Sequence, residues 1–145
     1  MAVGEPESPI VVGGPESSIE FGQVEHAPDG SGTRIAIRLL APGVDARTVV
    51  ELEPWSGGTK SLTNYFDDLA GAWRGWSGSK EWNDDGPNVS VSATHDGVGV
   101  VTLEVQADPF AGWDGPGSWN LTVRIPIEPG SLSKIAERLT ALLNN

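Results

Sequence analysis

From Ser18 onward the chain alternates apolar and polar residues with the period of a strand. Ile19 and Phe21 interleave with Glu20 and Gly22, and Pro28-Asp29-Gly30-Ser31-Gly32 then interrupts as a turn. Thr33 to Leu40 sets Ile35, Ile37 and Leu39 on one face against Arg34, Ala36 and Arg38, and Ala41-Pro42-Gly43 closes it. Ala46 to Glu53 turns Val50 and Leu52 inward. Strands joined by turns with no helix between them predict antiparallel pairing. The period then lengthens to that of a helix. Leu62, Tyr65, Phe66, Leu69 and Trp73 make one apolar stripe, which predicts a helix over 61–74, capped by Ser61 and ended by Gly75.

Beyond that helix, Trp82 lies in a short extended piece before the Asn83-Asp84-Asp85-Gly86-Pro87 turn. Val89, Val91 and Ala93 form one inward set and Val101, Leu103 and Val105 the next. Parity constrains the hairpin between them. A two-residue Asp96-Gly97 loop would split the apolar sets between faces, so an odd loop or a bulge is expected. After a Gly/Pro-rich connection, Trp119, Leu121, Val123, Ile125 and Ile127 alternate. Leu132, Ile135, Ala136, Leu139, Leu142 and Leu143 predict a final helix over 131–143, with Ser131 as its cap. The expected fold is α+β: one twisted antiparallel sheet of six or seven strands, covered by two amphipathic helices. Residues 1–17 read as an acidic flexible lead-in with room for one edge strand at Ile10-Val11-Val12, and 18–145 as a single domain.

Composition narrows the function. The 145 residues carry 20 acids against 9 bases, a net charge of −11. A field of that sign repels phosphate backbones and anionic lipid, so nucleic-acid and membrane partners are not expected. The absence of cysteine removes thiol catalysis, disulfides and Cys-ligated metals, and it suits a reducing cytoplasm. The first 18 residues hold no basic residue and only a three-residue apolar run, unlike a signal peptide. No cofactor is implied.

The six tryptophans are the unusual feature. Trp73 and Trp119 continue apolar stripes and are expected in the core, as are Trp76 and Trp82. Trp55 and Trp113 stand among Gly and Pro in loops, where a large apolar side chain has few partners, so both are candidate partner-binding residues. The acidic pairs Asp67-Asp68 and Asp84-Asp85 are candidates for an electrostatic surface facing a basic partner. His26 and His95 lack the companions of a metal site. Gly57-Gly58-Thr59-Lys60-Ser61 lacks the Gly-Lys-Ser/Thr of a phosphate loop, and no nucleophile elbow is present. A non-catalytic protein with no metal is therefore expected.

Phe66-Asp67-Asp68-Leu69-Ala70, followed by Trp73-Arg74-Gly75-Trp76-Ser77-Gly78 and Trp82, resembles a family of small actinobacterial proteins of unknown function. Ala41 to Ala46, His95 to Gly99 and Trp119 agree with it in order, and the likeness runs over 18–143. That family has no assigned activity, cofactor or catalytic residue to carry over. The order of elements is also similar to that of small immunity proteins that guard bacteria against polymorphic toxins. Together these imply a small acidic binding protein, immunity-like, that occludes a basic toxin domain. A carbohydrate-binding module built on exposed Trp, and an enzyme whose site is assembled from distant residues, are the alternatives.

Overall fold

In the computed structural model, which describes residues 9–86, 88–110 and 112–144, the alternating segments pair into two sheets. The first is an antiparallel meander of β1 (Ile10–Gly13), β2 (Ser18–His26), β3 (Thr33–Ala41) and β4 (Val44–Leu52). The second repeats the plan with β5 (Ser79–Asn83), β6 (Val89–His95), β7 (Val101–Ala107) and β8 (Leu121–Ile127). Helix α1 (Thr59–Gly71) bridges the two meanders, and α2 (Leu132–Leu143) ends the chain. The class is α+β, as expected.

The single sheet of six or seven strands is not formed; among the described residues eight strands divide four and four. Alternation fixes which face of a strand turns inward and hairpins fix its neighbours, but neither says whether β4 joins β5. Between them the chain leaves the sheet to build a 3-10 turn (Pro54–Ser56) and α1, so each meander closes on its own edge. The run Ile10-Val11-Val12 lies in β1, with Ile10 and Val12 buried. Met1 to Ser8 of the acidic lead-in lie outside the described residues.

Register follows side-chain parity. Phe21 pairs with Ile37 and Val24 with Ile35, so β2 spends one residue more than β3 across Gly22-Gln23. That bulge keeps both Phe21 and Val24 on the inward side. In the second sheet His95 pairs with Val101, leaving the odd loop 96–100 that parity demanded. Val89, Val91 and Ala93 therefore face Ala107, Val105 and Leu103.

The ends of α1 differ from those its stripe suggested. The α1 helix begins after Gly58, two residues before Ser61, whose hydroxyl instead accepts a bond from Trp82 Nε1 at 3.4 Å. It stops at Gly71, and Trp73 falls beyond it. Ser131 does hold the N-cap position of α2, but its Oγ donates to Glu128 O at 2.7 Å and caps no helical N–H. The inward faces of both sheets and the stripes of both helices meet in one continuous core, with Phe66 of α1 edge-on to Phe21 of β2. No helix among the described residues is long and apolar enough to cross a membrane.

Candidate functional site

The acidic pairs singled out in the sequence have separate fates. Asp84 is 1% exposed. Its Oδ2 accepts from Glu51 N at 2.9 Å and its Oδ1 from Val89 N at 3.0 Å. Burial pushes this carboxyl upward, and the backbone N–H groups of Glu51 and Val89 pull against that shift. Asp85, half-buried, accepts from Glu53 N at 2.7 Å and from Ser56 Oγ at 2.6 Å, while its own N–H donates to Glu51 O. Asn88 Nδ2 adds a bond to Val49 O. The β5–β6 turn is thus a clasp on β4, holding one sheet to the other.

Asp67 and Asp68 are exposed on α1, and Asp68 bridges to Lys80 at 3.0 Å. Lys80 is the second residue of β5 and Asp84 follows its end, about 13 Å of extended chain apart. The four carboxylates are therefore not one cluster. Lys80 also caps the Trp76 ring at 5.8 Å, and Trp76 Nε1 donates to Ala93 O.

Trp55 is the most open aromatic, 80% exposed, in the turn that Asp85 pins through Ser56. Beside that turn, Glu25, His26, Arg34, Glu51 and Glu53 line a depression of about 560 Å³. Arg34 engages Glu51 at 2.8 Å, and among the described residues Glu25 and Glu53, the other carboxylates of the lining, have no ion pair. His26 Nδ1 meets Thr33 Oγ1 at 2.9 Å on its rim. Trp113 is 57% exposed, its ring lying over Gly115 and tilted against Phe110. Phe110 in turn meets the half-buried Trp119 edge-on.

One surface was missed from the sequence. Trp73 is 46% exposed because α1 ends before it. With Arg74 stacked over its ring at 5.2 Å, it lines a depression of about 440 Å³ shared with His95, Val98 and Glu128. Gly97 N donates to His95 Nδ1 at 2.8 Å, so Nε2 carries the proton and donates to Trp73 O at 2.9 Å. His95 is a strut between the hairpin and the segment after the helix. Gly71 was the available signal for the earlier helix end, and valines set between glycines at 97–100 the signal for an apolar hairpin tip. Among the described residues no group of three His, Asp or Glu side chains is placed to hold a metal ion.

Comparison with solved structures gives distant superpositions at low identity. The structure of the plant transcriptional regulator PBF-2 superposes with a TM-score of 0.46 and 7% identity, covering 94% of this chain and 80% of that one. WHY3 from Arabidopsis thaliana gives 0.44 and 10%, covering 94% and 86%. Likenesses of this size bear on neither site nor ligand. No curated protein matches the sequence. A family model described as a family of unknown function (DUF6228) matches residues 10–145.

Proposed function

We propose that this chain, which belongs to the DUF6228 family of unknown function, is an acidic protein-binding domain that acts as an immunity-like inhibitor. It occludes the basic cleft of a toxin domain and catalyses no reaction. One observation carries the reading: a depression lined by Glu25 and Glu53 adjoins, through Glu53, the turn that carries Trp55, the most exposed aromatic of the chain. Carboxylates there take the Lys or Arg side chains of a basic cleft, and a neighbouring indole supplies the desolvated anchor that interfaces need. The net charge of −11 steers such a partner inward from a distance. We place the protein in the cytoplasm, where a chain without cysteine is at home. Asp67 and Asp68, exposed on α1, add to the negative field that the partner meets, whereas Asp85 fixes the turn that carries Trp55 and Asp84 ties β4 to β6.

The test uses the tagged protein and a Glu25→Lys/Glu53→Lys/Trp55→Ala variant as baits in the native host. The expected result is a basic protein retained by the first and lost by the second, with salt-sensitive affinity and growth protection when the two are co-expressed. Equal capture by both baits, or growth arrest that the wild-type protein leaves untouched, removes the support. The exposure of both Trp55 and Trp113 also favours a sugar-binding reading, in which the rings serve as a platform. Oligosaccharide titration followed by tryptophan fluorescence separates the two, since only a sugar site saturates without protein present.

A further inference from the structure

The cations of this chain are unevenly matched. Arg34, Arg38, Arg47, Lys80 and Arg124 each lie against one of the chain's own carboxylates. Among the described residues Lys60, Arg74, Lys134 and Arg138 have no carboxylate within 4.0 Å, and the last two sit one helical turn apart on α2. Both line a groove of about 440 Å³ whose other walls are β1 and the end of β8. Glu128 is the one carboxylate on that lining.

The β1 wall is an open strand edge. Gly14 N donates to Ser17 O at 3.0 Å and closes the β1–β2 hairpin. Hydrogen-bonded and non-bonded pairs alternate in an antiparallel ladder, so Val12 and Ile10 direct their backbone groups at Ile19 and Phe21. Val11 and Gly13 then turn theirs outward, and both residues line the groove. β1 pairs with β2 alone, and among the described residues no other backbone group bonds Val11 or Gly13. On the facing wall Pro126 has no N–H to offer a strand. The groove therefore combines a template for one added strand with two free cations beside it.

We propose that this groove is a strand-addition site for an extended acidic segment of a partner protein. The segment pairs with the outward N–H and C=O groups of Val11 and Gly13 and sets its carboxylates against Lys134 and Arg138. None of its lining residues belongs to the acidic depression beside the turn that carries Trp55, and it takes a ligand of the opposite charge. A failure of either reading leaves the other standing.

The test titrates the full chain with a fluorescent peptide of about eight residues alternating Glu and Val, and with its Lys counterpart. The Glu peptide is expected to bind and the Lys peptide not to. Lys134→Glu/Arg138→Glu should weaken binding by about tenfold or more. Val11→Pro removes one outward N–H without touching charge and should weaken it as well, with circular dichroism confirming that the variant is folded. Amide exchange at Val11 and Gly13 should slow in the complex. Equal binding of both peptides, or no binding at millimolar peptide, overturns the proposal. So does binding that survives Val11→Pro with no amide protection, which is charge attraction without strand pairing.

Discussion

Single carboxylates decide two local structures here, and they respond to acid in opposite ways. Asp96 Oδ1 accepts the N–H groups of Val98, Gly99 and Val100 at 2.8, 2.8 and 3.0 Å, folding the 96–100 loop around one oxygen. Those donors, Val100 foremost, hold its carboxyl down at about 2. A carboxyl lowered by folding stabilises the native state above its unfolded pKa of about 3.9 and loses that effect as pH falls through the folded value. Thermal melts of wild type and Asp96→Ala should differ by a constant margin above about pH 4 and converge toward about pH 2. Asp84 is shifted upward by burial, and the backbone N–H groups around it, Glu51 and Val89 foremost, pull against that shift. Asp84→Ala strands Glu51 N and Val89 N, and urea unfolding should show a loss of about 2–4 kcal/mol. Exposed Asp67→Lys should stay within about 0.5 kcal/mol in the same assay. The sequence places the aspartate pair 84–85 in a turn and offers it as part of an electrostatic surface. Its local pattern is indeed a turn; that another strand's backbone would close over it depends on residues 32 and 33 positions upstream.

At the scale of elements, periodicity predicted where the apolar stripes lie better than where the helices stop. Phe66 and Leu69 are buried as the stripe requires, and Phe66 packs edge-on against both Phe21 and Tyr65. Phe66→Ala should cost about 3–5 kcal/mol by chemical denaturation. Trp73 occupies the next position of the same stripe, yet the helix has ended, and its ring lies half open under Arg74. Trp73→Ala should therefore cost under about 1 kcal/mol, because only its carbonyl, which the substitution keeps, receives the His95 bond. A stripe records amphipathicity, whereas a helix end records competition for the last carbonyls, and that competition involves residues outside the stripe. The β6–β7 hairpin was legible to its loop parity, because two apolar sets can share a face in only one register.

For the whole molecule, both sheets and both helices share one core, and the clasp of Asp84, Asp85 and Asn88 on β4 is matched by Ser17 Oγ donating to Arg124 O on β8. Two sheets tied at these places and filled by common side chains should unfold together. Urea transitions followed by the fluorescence of the six tryptophans and by far-ultraviolet circular dichroism are expected to coincide, and separate midpoints would show that one sheet opens first. The sequence by itself determined the α+β class, the inward face of nearly every strand and the hairpin partners. All of these follow from patterns within about ten residues, set by side-chain periodicity and turn chemistry. Only the tertiary structure decided that the strands split four and four, that Asp84 is a buried clasp, that Glu25 and Glu53 share a depression beside the turn that carries Trp55, and that Lys134 and Arg138 flank an open strand edge. Each of these joins segments distant in sequence, where the deciding quantity is the packing of one apolar face on another, and no periodicity along the chain encodes which faces meet.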